Sequence, residues 1–195
     1  MESEMSTIEP NVERLFAAHK LLATDPPRAI EELKDLAEHG SALAPLYLGW
    51  ACQKGNGVQQ DLAQAEDWFT VALNRGNMVA TYYLGHLYSN VGRHAEASTV
   101  FEQGAKLGYL PSIFCLAMNV LEGKAGLSNI DRAKQLLETA AGQGHVFAQR
   151  TLATLYLSGR FGLKNAVYGL WLLGRSVVAG AFIAIRNSDD DRLKA

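Results

Sequence analysis

Cysteine is almost missing from this chain, since Cys52 and Cys115 are the only two in 195 residues. Two thiols make no disulfide framework, and together with an acidic start, MESEMSTIEP, where a secretory leader would be basic and then apolar, they predict a reducing, cytoplasmic setting. A charge excess of one sign is missing too: 18 basic residues stand against 20 acidic ones. That balance excludes a dedicated nucleic-acid binder, which needs a strongly basic face. Histidine is sparse, and His19, His39, His86, His94 and His145 include no i, i+4 pair and no H-E-x-x-H, so no zinc or other metal site is expected. His39 and His145 flank turn glycines, where a surface or C-capping role suffices. One long apolar run exists, Ala166 to Ile185, but it carries Arg175 at mid-depth and three glycines. A buried arginine there would cost about 2.5–3.5 kcal/mol on the insertion scale, so a membrane span is not expected.

Nothing in the chain resembles an active site. Glu31-Glu32 and Glu66-Asp67 are adjacent, which sets their side chains about 100° apart on a helix and makes no acid/base dyad. The turns GNGV and GRFG are too short for a phosphate loop and lack G-K-[ST]. Cys52 reads as a small core residue and Cys115 has no His or acid partner in its own helix. The expectation is a non-enzyme with no cofactor.

What the chain does have is an internal repeat. Gly40, Gly76, Gly108, Gly144 and Gly180 recur at spacings of 36, 32, 36 and 36. Four residues after them stand Ala44, Ala80, Ser112, Ala148 and Ala184, and four further on Leu48, Leu84, Leu116 and Leu152, each pair on one helical face. A second phase runs Ala29, Ala65, Ala97, Ala133 and Gly169, followed at i+4 by Leu33, Phe69, Phe101, Leu137 and Leu173. Each unit is therefore two amphipathic helices, the second closed by a glycine that turns left-handed without side-chain penalty. Asp25 before Pro26 and Asp61 before Leu62 read as helix starts.

Residues 44 to 76, APLYLGWACQKGNGVQQDLAQAEDWFTVALNRG, carry a specific pattern: Ala44, Leu48-Gly49, Gly55-Asn56-Gly57-Val58, Asp61, Ala65, Trp68 and the closing Gly76. This pattern resembles the repeat of the Sel-one-like repeat (SLR) family, a relative of the tetratricopeptide repeat found widely in bacteria. The neighbouring units keep the phase with altered turns, SNVGRHAEA, GKAGLSN and GRFGLKN, and the likeness extends over residues 8 to 184. It implies an all-α fold, a right-handed α-solenoid of about five helix-turn-helix units (8–40, 41–77, 78–109, 110–145 and 146–180, with a partial cap at 181–186). Residues 1–7 and 187–195 are expected to be flexible. One helix pair cannot bury its own apolar face, so neighbours must stack. In the resembling families the first helices line a concave surface that holds a peptide segment or another protein.

With Ala44, Leu48 and Cys52 set toward the second helix, the far side of the first helix carries Leu46, Trp50 and Gln53. The equivalent positions are Tyr82, His86 and Ser89; Phe114, Met118 and Leu121; Arg150, Thr154 and Leu157. Trp50, Gln53, Tyr82, His86, Phe114, Met118, Arg150 and Thr154 are thus the candidate partner-binding residues, because large rigid side chains bury much area with few torsions to freeze. Packing against adjacent units would account for the same ladder. Trp68 reads as structural and Trp171 as core.

The C-terminal end differs. Gly180 falls on the repeat phase, so AGAFIAIR reads as the start of a sixth first-type helix, and Val178, Phe182, Ile183 and Ile185 leave an apolar end. Such an end either caps the last pair, docks a partner or a second copy of the chain, or touches an anionic membrane. Charge is also uneven: residues 1–40 hold nine acids and four bases, whereas 123–186 hold two acids and eight bases. The favoured reading is an adaptor or scaffold for another protein, in a bacterial envelope, polysaccharide or signalling assembly. The alternative is a peripheral membrane or anionic-glycan binding factor that uses Arg150, Arg160, Lys164, Arg175 and Arg186, and salt screening separates the two.

Overall fold

A computed structural model describes residue 9, residues 11–124, 126, 128–159 and 166–186, with side chains up to 181. Ten helices occur among the described residues: α1 (Val12–Thr24), α2 (Pro26–Glu38), α3 (Ala44–Lys54), α4 (Leu62–Asn74), α5 (Val79–Asn90), α6 (His94–Lys106), α7 (Leu110–Glu122), α8 (Ile130–Gly142), α9 (Val146–Leu157) and α10 (Ala166–Arg186). They group into two compact units, Met1–Val91 and Gly92–Ala195. The first holds α1 to α5 and the second α6 to α10. Within each, every helix packs against its neighbours in sequence.

The punctuation follows from local chemistry. Gly40, Gly76, Gly108 and Gly144 adopt φ of 92°, 83°, 78° and 91°, the left-handed region in which a side chain would be strained. At three of these turns the residue after the glycine holds a backbone N–H at the start of the next helix. Ser41 Oγ accepts the Ala44 N–H at 2.9 Å, Asn77 Oδ1 the Val79 N–H at 3.0 Å, and His145 Nδ1 the Ala148 N–H at 3.2 Å. Asp25, Asp61 and Asn129 cap α2, α4 and α8 in the same way, accepting from Arg28, Gln64 and Arg132.

Both repeat phases are core. Ala29, Ala65, Ala97 and Ala133 are fully buried, as are Leu33, Phe69, Phe101 and Leu137. A small residue lets a ring press directly on helix backbone: a Cβ on Gly49 would lie 2.5 Å from a ring carbon of Phe69. The G-x-G-V turn serves the stacking of pairs. Gly57, at φ 78°, sits so close to Pro26 that a Cβ would meet its carbonyl carbon at 2.7 Å, and Asn56 Nδ2 donates to Leu22 O at 3.0 Å. Val58 and Trp68 pack on the core of the first two pairs, the structural part read for Trp68.

Three expectations are corrected. α10 runs through Gly180 as one helix of 21 residues, with no break before a sixth helix. Gly180 keeps helical backbone and lies beside Val146 of α9, where even a Cβ would make only an ordinary contact at 3.4 Å, so a mid-helix glycine is tolerated there. Trp171 is exposed, not core. His145 is fully buried at an N-terminal cap, neither on the surface nor C-capping, because the cap lies beneath Phe114, whose ring stacks on it at 5.0 Å. Its Nδ1 accepts, so the ring's proton is on Nε2. His39 does cap a C-terminus, its Nδ1 lying 2.8 Å from Asp35 O. Residues 1–7 and 187–195, Arg160 and Lys164 fall outside the described residues, as do the side chains of Phe182, Ile183, Ile185 and Arg186.

Candidate functional site

The first unit contains an aromatic pocket of about 120 Å³ lined by His19 of α1, Leu46, Tyr47 and Trp50 of α3, and Tyr83 of α5. These are all first helices of their pairs, and Trp50, four residues after Leu46 and three after Tyr47, shares a face with each. The ring of His19 packs on Tyr47 with centroids 4.5 Å apart. Tyr83 is held from beneath by Phe69, at 5.8 Å, and from the side by the edge of Tyr82, at 5.3 Å. His86 in turn meets Tyr82 at 4.4 Å. The rings of His19, Tyr47 and Tyr83 are thus braced by other rings, and Trp50 packs against the buried core of the unit.

Burial favours the neutral form of Tyr47 in the wall and of His86 behind it. Burial, with smaller contributions from Tyr83 and Glu9, pushes the Tyr47 phenol above its usual range, and burial lowers the His86 imidazole below 6.5. Glu9 is itself buried, its Oε2 accepting from the Ala42 and Leu43 N–H groups at 3.2 Å each. An aromatic wall can take an apolar side chain or the stem and head of a cationic one. Residues 1–91 hold twelve acids and six bases, against eight acids and twelve bases in 92–195.

Of the residues singled out in the sequence, Trp50 lines this pocket and Tyr82 and His86 brace it, all half-buried. Gln53 is half-buried at the end of α3, where its carbonyl accepts from Gln60 Nε2 at 3.0 Å. Tyr47, Tyr83 and His19 were missed. The signal for two of them was present, since Tyr47 and Tyr83 are one repeat of 36 residues apart, one position along from the register read for the face.

The second unit does not repeat this arrangement. Phe114 is 8% exposed, sealed against His145 and 6.3 Å from Phe147, so here the ladder is packing. Met118 is half-buried, while Arg150 and Thr154 are exposed, with the Thr154 hydroxyl donating to its own helix at Arg150 O. A polar cleft of about 360 Å³ lies among α6, α7 and the start of α8. Its polar side chains are engaged with one another: Asn119 Nδ2 donates to Ser98 Oγ at 3.1 Å, and Arg132 pairs with Glu102 at 2.9 Å. Val178 is exposed on α10.

Both thiols are buried, Cys52 Sγ donating to Gln64 Oε1 at 3.0 Å; burial raises both, Cys115 to about 12. Among the described residues no group of three or more His, Cys, Asp or Glu could hold a metal, and no helix is long and apolar enough to cross a membrane.

No family model matches the chain. A curated Sel1-like repeat-containing protein of Acanthamoeba polyphaga mimivirus is 30% identical over 129 residues, 66% of this chain and 24% of that protein. The chain therefore spans about a quarter of that relative's length. Among solved structures, a protective antigen of uropathogenic Escherichia coli with an SLR fold superposes with a TM-score of 0.70 at 22% identity, covering 86% of this chain and 38% of that one. A Sel1 repeat protein from Oxalobacter formigenes gives 0.71 at 22% identity, covering 83% and 71%. With paired helices, phased glycines and the G-x-G-V turn seated on the preceding pair, the chain is a homologue of the Sel1-like repeat proteins and carries the all-α SLR fold.

Proposed function

We propose that this chain is a non-enzymatic interaction module that captures a segment of a partner protein in the aromatic pocket of its first unit. Sel1-like repeat proteins generally serve as protein-interaction modules, and the pocket supplies the place. The observation that carries the reading is the half-buried Trp50 among Tyr47, Tyr83 and His19, a preformed wall whose rings are already held. Preformed aromatic surface binds with little ordering cost. The net charge of −6 on residues 1–91 favours a partner segment that brings a basic side chain to the rings. The setting we assign is a cytoplasmic assembly in a bacterium, serving envelope, polysaccharide or signalling work.

Affinity capture with wild type beside Trp50→Ala and Tyr83→Ala tests this. Each variant should weaken partner retention by at least about tenfold, roughly 1.4 kcal/mol, while far-UV circular dichroism stays unchanged. Full retention by both folded variants would remove the pocket from the function. The exposed Arg150 and the basic balance of residues 92–195 support a second reading, attachment to an anionic glycan or membrane surface. That attachment would be lost at high salt, whereas aromatic capture would survive it.

A further inference from the structure

α10 spends only one side on its own unit. Gly169, Leu172 and Ser176 are buried, and Gly180 lies against Val146, while the opposite side stands in solvent. On that side Val167, Leu170, Gly174, Val177 and Ala181 are all exposed, and they recur at steps of 3, 4, 3 and 4. This is the spacing of a coiled-coil seam. Trp171 and Val178 flank it, and the large residues of the face are 54 to 76% exposed. The middle of the seam is a groove of about 630 Å³ lined by Leu170, Trp171, Gly174, Arg175, Val178 and Ala179. Its floor is bare, because a Cβ at Gly174 would meet nothing within 4 Å.

We propose that this face is a self-association surface, through which two copies of the chain pair antiparallel along α10 with Gly174 at the two-fold axis. The distribution of bulk selects the occupant and its direction. Val167, Leu170 and Trp171 lie on the N-terminal side of Gly174, and Val177, Val178 and the small Ala181 on the other. A two-fold axis at Gly174 sets the bulky half of each copy against the slimmer half of the other, with the backbones closest where no side chain intervenes. A parallel pair would set Trp171 on Trp171. The seam holds no charge, and Arg175 sits beside it with its guanidinium 5.5 Å from the Trp171 ring centroid, at the rim where a cation costs least. The exposed parts of Val167, Leu170, Trp171, Val177 and Val178 amount to roughly 600 Å² per copy, before Gly174, Ala181 and the Arg175 stem are added. That is at the top of what an ordinary monomer leaves bare and approaches the about 800 Å² per partner of a standard interface.

Sedimentation equilibrium of the full chain at micromolar concentration should give twice the 21.2 kDa chain mass. The deciding variant is Gly174→Glu. At an exposed helical glycine a better helix former holds or raises the melting temperature, so loss of the dimer cannot be loss of the fold. Two carboxylates facing each other at the axis should raise the dissociation constant by at least about tenfold. Direction is read by mixing Val167→Cys with Ala181→Cys chains, both native thiols being buried. Oxidation should link the two variants to each other in preference to themselves. A wild type that sediments at 21.2 kDa, or a Gly174→Glu dimer of unchanged strength, overturns the proposal, as does equal self-linking of each cysteine variant. A monomer that instead pellets with phosphatidylglycerol vesicles would assign the face to lipid and also overturn it. None of these outcomes bears on capture at the first-unit pocket.

Discussion

Among single residues, the two cysteines make the sharpest contrast between what a side chain could do and what its site permits. A thiolate is the reactive form, and burial raises the Cys52 and Cys115 thiols. Neither should react with a disulfide reagent at pH 8 over the time in which both titrate fully in denaturant. Rapid native labelling of either would contradict the burial. His86 gives the pH counterpart. Its folded pKa lies below the unfolded 6.5, so the unfolded chain takes up the proton first and stability falls as pH drops through about 6.5. Thermal melts from about pH 7.5 to 5.5 should show a smaller loss for His86→Asn than for wild type, and parallel curves would remove His86 as a contributor. Phe69 is the packing anchor of the first unit, fully buried beneath Tyr83 and against Gly49. Phe69→Ala should cost about 3–5 kcal/mol in denaturant unfolding, and it should also loosen the pocket wall.

At the level of helices and turns, the sequence was most legible where one residue's own conformation decides the outcome. Left-handed glycines, Asp25 and Asp61 at helix starts, and the two buried phases all needed only local chemistry and period. Asp61→Ala should accordingly cost about 1 kcal/mol, the ordinary loss of a cap. Gly57→Ala should cost more than that, since it combines φ of 78° with a Cβ driven onto the Pro26 backbone. Denaturant melts of the two variants side by side check the order, and a Gly57→Ala no weaker than Asp61→Ala would refute the close approach. Legibility failed where a neighbour outvoted the local signal. Gly180 has the phase of a terminator, yet it packs beside Val146 with helical backbone and the helix continues. His145 follows a turn glycine as Ser41 and Asn77 do, but that it caps from within the core depends on Phe114, which is 31 residues earlier in the chain.

For the molecule as a whole, each unit is held by contacts between helices that follow one another, so a local lesson should stay local. In Phe69→Ala, hydrogen exchange should quicken within residues 1–91 and stay at the wild-type rate in residues 92–195. Acceleration throughout would show that the units open together. The sequence alone determined the all-α class, the unit length, the helix pairs and their core faces, because those depend on spacing and on backbone preferences that recur every 32 or 36 residues. Which members of the aromatic ladder remain available was decided only by tertiary structure. Equivalent positions in the repeat carry Tyr82, half-buried at the edge of the pocket wall, and Phe114 in the core, and the difference is His145, Phe147 and the helix that brings them over the ring. Accessibility belongs to the neighbours of a side chain rather than to its period, and a repeat pattern describes only the period.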